Sequence, residues 1–148
     1  MKLLALLALF LCSCVAVNRQ PNTDIMYGSR SIPNDPGGTS VGMQFNYAGR
    51  NGVSPELGMI VSQNDTNDSH SVETSFGLRE SFMINDVLQL YFGTGLAIQN
   101  PSQEDAAIYG QVGTNLFLDN HYSAGIMVRR TFWDYEETFL MFGLGYSF

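Results

Sequence analysis

The stretch FLMFGLGYSF, residues 139–148, decides the fold. Written as an extended chain it places Leu140, Phe142, Leu144, Tyr146 and Phe148 on one face, with Met141, Gly143, Gly145 and Ser147 on the other. Successive side chains of a strand point to opposite faces, so this period of two predicts a strand with one wholly apolar face. The same division recurs upstream. Leu88, Leu90, Phe92, Leu96 and Ile98 oppose Gln89, Tyr91, Gly93, Gly95, Ala97 and Gln99. Val72, Phe76, Leu78, Phe82 and Ile84 oppose Glu73, Ser75, Gly77, Arg79 and Ser81, and Tyr122, Ala124, Ile126 and Val128 oppose Ser123, Gly125, Met127, Arg129 and Thr131. Residues 39–47, 53–61 and 108–118 follow the pattern, and residues 24–31 make a weaker first strand. The chain is therefore expected to be all-β, with eight strands of about the 9–11 residues that a tilted membrane strand needs.

Composition agrees. At 148 residues the chain has the length of one domain. Charged residues make up 14%, against the roughly 25% usual in soluble domains. Glycine numbers 15 and aromatic residues reach 12%. Beyond the N-terminus no apolar run approaches the ~20 residues of a transmembrane helix, so a membrane would be crossed by strands.

The first residues form a targeting segment, expected over 1–13 and followed by a short linker over 14–23. Lys2 supplies the positive end and residues 3–11 (LLALLALFL) a short apolar core. Leu11, Cys12, Ser13 and Cys14 resemble a bacterial lipobox, which makes Cys14 the expected lipidation site; cleavage after Ala16 is the alternative. Both cysteines lie in this segment, so the body carries no thiol for a disulfide, a nucleophile or a metal site. Without Lys2 the chain keeps six arginines against fourteen acids, a balance opposed to nucleic-acid binding. No metal or cofactor motif is present, and no cofactor is expected.

Alternation alone does not distinguish a membrane barrel from a soluble one that turns its apolar face inward. Here the other face is built of Gly, Ser, Ala and Gln with few charges, a poor solvent surface but a suitable filling for a narrow barrel, whose eight strands leave room only for side chains. The connections point the same way. Residues 31–38, 63–69, 100–105 and 133–137 read as long, and 49–52, 85–86 and 119–120 as short, the alternation of extracellular loops and periplasmic turns. Asp35, Asp65, Asp68, Glu104, Asp105, Asp134, Glu136 and Glu137 give the long set an acidic character.

Glu56, Glu73, Arg79 and Arg129 fall on the inner face. Charges there are tolerable only when paired, so they are expected to form a luminal network. His121 and Ser123 invite comparison with a hydrolytic pair, but they sit by the 119–120 turn. Glu136 and Glu137 lie at the far end of the strand, roughly 30 Å away at ~3.3 Å per residue.

Strand number, loop alternation and the ending FLMFGLGYSF resemble small eight-stranded outer-membrane barrels of the OmpA/OmpX kind over residues 24–148. Within that ending Phe142, Leu144, Tyr146 and Phe148 resemble the signal read by the barrel-assembly machinery. The stretch LQLYFGTGLAI, residues 88–98, and the last two strands also resemble the lipid A 3-O-deacylase family. That resemblance implies a His and a Ser at the outer end of the penultimate strand, where this chain has Arg130 and Phe132. Only Glu136 or Glu137 matches its Glu. The resemblances together imply a monomer in the bacterial outer membrane, with membrane lipid and lipopolysaccharide as partners. A structural or surface-interaction role is expected, not catalysis, with an inactive lipid A hydrolase-like protein as the alternative.

Overall fold

A computed structural model describes residues 21–33, 35–47, 51–65, 69–100, 105–133 and 136–148. Cys14 and the targeting segment lie outside these residues. Eight strands follow one another: β1 (Asn22–Ile32), β2 (Asp35–Asn46), β3 (Gly52–Asn64), β4 (His70–Met83), β5 (Leu88–Asn100), β6 (Asp105–Phe117), β7 (Tyr122–Trp133) and β8 (Thr138–Ser147). Each pairs antiparallel with its neighbours in sequence, and β8 pairs with β1 to close a barrel. Closure leaves no edge, so the ladders satisfy the backbone polar groups, as a membrane requires. Pro55 shows the same economy. It lies one residue beyond the last β2 partner of β3, the Asn46–Glu56 pair, where β3 has a ladder only with β4.

The apolar faces identified in the sequence point outward. Leu144 is 69% exposed, and Ile25, Phe76, Leu96, Leu118, Phe142 and Phe148 are exposed with it. The opposite faces point inward, where Arg129 and Glu56 are both 0% exposed. Inward-facing bulky residues stand beside glycines on adjacent strands: Tyr91 pairs with Gly113, Tyr109 with Gly95, Gln111 with Gly93, Gln44 with Gly58, and Met26 with Gly42 and Gly143. A Cβ at Gly113 would strike the Tyr91 ring, and one at Gly77 would strike the Tyr109 hydroxyl. At these positions glycine leaves room for large side chains of the neighbouring strand, and at Gly77 and Gly95 also for close approach of the neighbouring backbone.

The expected alternation of long and short connections is corrected by the structure. Between two and five residues separate successive strands at both ends of the barrel. At the end away from the termini, β1 and β2 stay paired up to Ile32 and Asp35, with only residues 33–34 between them. β5 likewise runs to Asn100 and β6 starts at Asp105. Several polar residues that read as loop, Ser31, Asp35, Gln63, Asn64, Asn100 and Asp105, are strand ends instead. Gly37, at φ 87°, adopts the left-handed conformation beside the irregularity in the β1–β2 register. At the end holding the termini, two connections share one device. Asn85 Oδ1 accepts from the backbone N–H of Val87 (3.0 Å) and Leu88 (2.8 Å). Asp119 Oδ1 accepts from those of His121 and Tyr122 (both 2.7 Å), the Asx geometry that makes these residues turn formers.

Candidate functional site: the charges inside the barrel

Three groups of charge lie along the interior. In the first, the Arg79 guanidinium sits 3.3 Å from Asp24 and 3.9 Å from Glu56. Its Cζ also lies over the Tyr91 ring, 3.4 Å from the centroid, a favourable arrangement for a desolvated cation. Glu56 accepts from Gln111 Nε2 at both carboxylate oxygens (2.8 Å each) and from the Tyr109 hydroxyl (3.2 Å). Gln111 in turn accepts from Gln44 (3.0 Å). In the second group, Arg129 lies 2.8 Å from Glu73, donates to Ser75 Oγ (3.1 Å) and stacks over the Tyr109 ring at 3.8 Å. In the third, nearer the opposite end, Arg30 pairs with Glu137, which also accepts from Gln99 (3.2 Å). Thr131 fixes Glu137 by accepting from its backbone N–H at 3.0 Å.

All four inner-face charges named from the sequence are buried: Glu73 pairs with Arg129, and Glu56 shares Arg79 with another acid. That acid is Asp24, which sequence reasoning missed, as it missed the Arg30–Glu137 pair and the two stacking tyrosines. The signal was available. Counting by two from Met26 reaches both Asp24 and Arg30, and counting back from Met141 reaches Phe139 and Glu137. Asp24 and Arg30 were hidden by the weak outward pattern of β1, and Glu137 by its acidic surroundings, which read as loop. Glu137 therefore leaves the set of acidic loop residues for the interior. Asp65 and Glu136 are exposed, Asp35 and Asp105 belong to strands, and Asp68, Glu104 and Asp134 lie outside the described residues.

The residues considered for hydrolysis lie apart. Ser123 is buried and faces inward. The exposed His121 ring has Nδ1 3.0 Å from the Ser147 carbonyl and stacks on Tyr146, centroids 5.8 Å apart. Arg130 points outward near the other end, 3.4 Å from Glu136 and over Phe132. The ending residues Phe142, Leu144, Tyr146 and Phe148 form an outward row in which Tyr146 packs edge-on against both Tyr122 and Phe148. Among the described residues no cluster of three or more His, Cys, Asp or Glu side chains forms a metal site.

No protein-family model and no curated protein matches the chain. Solved structures do. A de novo designed transmembrane β-barrel superposes with a TM-score of 0.71 at 11% identity, covering 90% of this chain and 98% of that one. Neisserial surface protein A gives 0.68 at 11% identity, covering 87% and 96%. The attachment invasion locus protein Ail of Yersinia pestis gives 0.67 at 14% identity, covering 89% and 100%. At such identities the likeness is one of fold. The fold is that of the small eight-stranded barrels found in bacterial outer membranes.

Proposed function

We propose that this chain is an outer-membrane barrel with a filled interior, acting as a structural or surface-interacting component of the cell envelope and not as an open pore or a hydrolase. The observation that carries the reading is the inversion of burial. An apolar, largely exposed exterior surrounds buried Arg79, Arg129, Glu56 and Glu73. In water that arrangement would leave large apolar side chains exposed all round the barrel, far more than a soluble monomer shows. In a bilayer the exterior meets its own solvent, and the inner charges are served by one another. Stacked Arg–Tyr pairs and the Glu56–Gln111–Gln44 chain support a plugged lumen, as the width of an eight-stranded barrel leads one to expect.

On this reading the end bearing the termini lies in the periplasm and the Arg130–Glu136 rim at the outer headgroups, where lipopolysaccharide is the neighbour. The C-terminal row is what the assembly machinery engages, and the barrel works as a monomer. Cell fractionation combined with gel mobility tests the proposal. Outer-membrane protein whose mobility shifts only on boiling is expected, and soluble periplasmic protein would overturn it.

A further inference from the structure

Along β4 the outward row runs Phe76, Leu78, Glu80 and Phe82, with Ile84 just beyond the strand. Arg79 and Ser81, on either side of Glu80 in the chain, are buried inside the barrel, so Glu80 turns out towards lipid, half-buried among its neighbours. Its carboxylate has no hydrogen bond or ion pair among the described residues, whereas the outward Arg130 has Glu136. Phe82 and Ile84, 44% and 61% exposed, continue the apolar face between Glu80 and the end that holds the termini. Four residues at ~3.3 Å each, on a strand tilted by ~35–45°, put Glu80 about 10 Å from Ile84 along the barrel axis, inside the apolar belt. An acid facing lipid at that depth is costly, and an ionisable side chain kept within a membrane points to a function.

The surroundings say what kind of partner would suit it. Directly opposite Glu80 stand Phe92 on β5 and Val53 on β3. Phe82 lies two residues further along β4 on the same face, and its ring meets that of Phe92 edge-on, centroids 6.5 Å apart at 68°. Directly paired side chains have Cβ atoms about 4.5–5.5 Å apart, so an acid and two aromatic rings share one patch of the outer wall. That combination fits an organic ammonium group, whose N–H groups donate to the carboxylate while the rings attract its charge. A second copy of the chain would not supply the cation. It inserts in the same direction, so its outward Arg130, beside Glu136, stays near the opposite end.

We infer that Glu80, Phe82 and Phe92 form a site for the primary ammonium headgroup of a phospholipid of the ethanolamine kind in the periplasmic leaflet, which rests on the outer-membrane orientation proposed above. Lipid is always against this face, and a headgroup drawn to Glu80 gives the acid the partner that the chain lacks. The reach of the side chain towards the interface and local thinning of the bilayer cover the depth. A primary ammonium suits the site better than choline, whose quaternary nitrogen has no N–H to donate to the carboxylate.

The test folds the full chain into nanodiscs of phosphatidylglycerol and raises phosphatidylethanolamine in steps while backbone amide resonances are followed. The amides of Val53, Glu80 and Phe92 are expected to shift together and saturate, while those of Ile25 and Leu144, on the opposite wall, hold still. Glu80→Gln, nearly equal in volume, is expected to weaken the response at least about tenfold, and Phe92→Leu to weaken it less. Phosphatidylcholine is expected to bind at least about tenfold more weakly, and N-acetylated phosphatidylethanolamine, which has no ammonium, to leave the three amides in place. Without phosphatidylethanolamine, Glu80→Gln should stabilise the barrel, and adding that lipid should narrow the gap. The site is overturned if Glu80→Gln responds unchanged, if the choline or N-acetylated lipid gives the same shifts, if the shifts spread evenly round the barrel, or if Glu80→Gln alters the oligomeric state instead. Heat-modifiable mobility checks the membrane reading separately. A chain that folds as a barrel and shows no such shifts overturns the site alone, and one that does not fold in the bilayer overturns both.

Discussion

Replacing Arg129 by Met removes one half of a pair whose partners are both almost wholly out of solvent. Arg129 Nη2 lies 2.8 Å from Glu73, and the side chains are 0% and 2% exposed. At an effective dielectric of about 20, attraction at that separation is about 6 kcal/mol before desolvation is counted. Desolvation of two ions takes back most of this, so the pair itself is worth little against an apolar pair. Removing one partner is different, because the other stays buried with its charge unanswered. Arg129→Met and Glu73→Gln are each expected to cost about 3–5 kcal/mol. The double variant is expected to cost about 2–3 kcal/mol less than the sum of the singles. What it still loses is the Ser75 hydrogen bond and the stacking over Tyr109. Arg79→Met should be the costliest single arginine change, since it strands both Asp24 and Glu56. Reversible urea unfolding in lipid vesicles, followed by fluorescence of the single tryptophan, measures these differences. Additivity within about 0.5 kcal/mol would show that the two side chains do not act as a pair and would refute the reasoning.

Other outcomes follow from different parts of the molecule. Gly113→Ala should destabilise by about 1–3 kcal/mol because its Cβ meets the Tyr91 ring. Tyr91→Leu should remove the ring contact and leave only that with the Ile126 carbonyl oxygen, so the penalty should shrink without vanishing, and an equal penalty in both backgrounds on urea unfolding would refute it. Deleting Phe148 should deplete the protein from the outer membrane while leaving any assembled fraction nearly as stable; normal membrane levels on immunoblots would count against an assembly role. Cys14→Ala should abolish acyl labelling and leave precursor, whereas Cys12→Ala should change little; unaltered processing of the Cys14 variant would place cleavage near Ala16. Expression of the chain should leave every acyl chain of lipid A in place by mass spectrometry. Loss of one that depends on His121 would reverse the non-hydrolase reading.

What the sequence made legible was whatever repeats with period two. The outward faces of β4, β5, β7 and β8 were identified residue by residue, because each carries large apolar side chains at alternate positions and lipid admits little else there. The inner face is under a different constraint. It has to fill a closed space and pair its charges across strands, which is a condition on sums and neighbours, not on each position. Arg79 illustrates the limit. Its inward direction follows from parity within β4, but its partner Asp24 belongs to β1, separated by 55 residues and reached only once the barrel closes. Connections were misjudged for a related reason. Asn, Asp and Gln signal turns in soluble proteins, yet in β5 and β6 they mark strand that has left the apolar belt while the ladder continues.

That two-part constraint explains why such a barrel can vary so widely in sequence and keep its form. The exterior needs only apolar side chains of any identity, so its residues are interchangeable among Leu, Ile, Val, Phe and Met. The interior needs complementary volumes, and the glycines record where they fall: Gly113 beneath Tyr91, Gly77 beneath the Tyr109 hydroxyl, Gly93 beneath Gln111. A different small barrel can place its large residues on other strands and its glycines opposite them, satisfying the same geometry with few residues in common. Identities of 11–14% to barrels that superpose over nearly the whole chain are what this freedom predicts. It follows that features tied to particular residues, above all the Asp24–Arg79–Glu56 group, are not required by the fold.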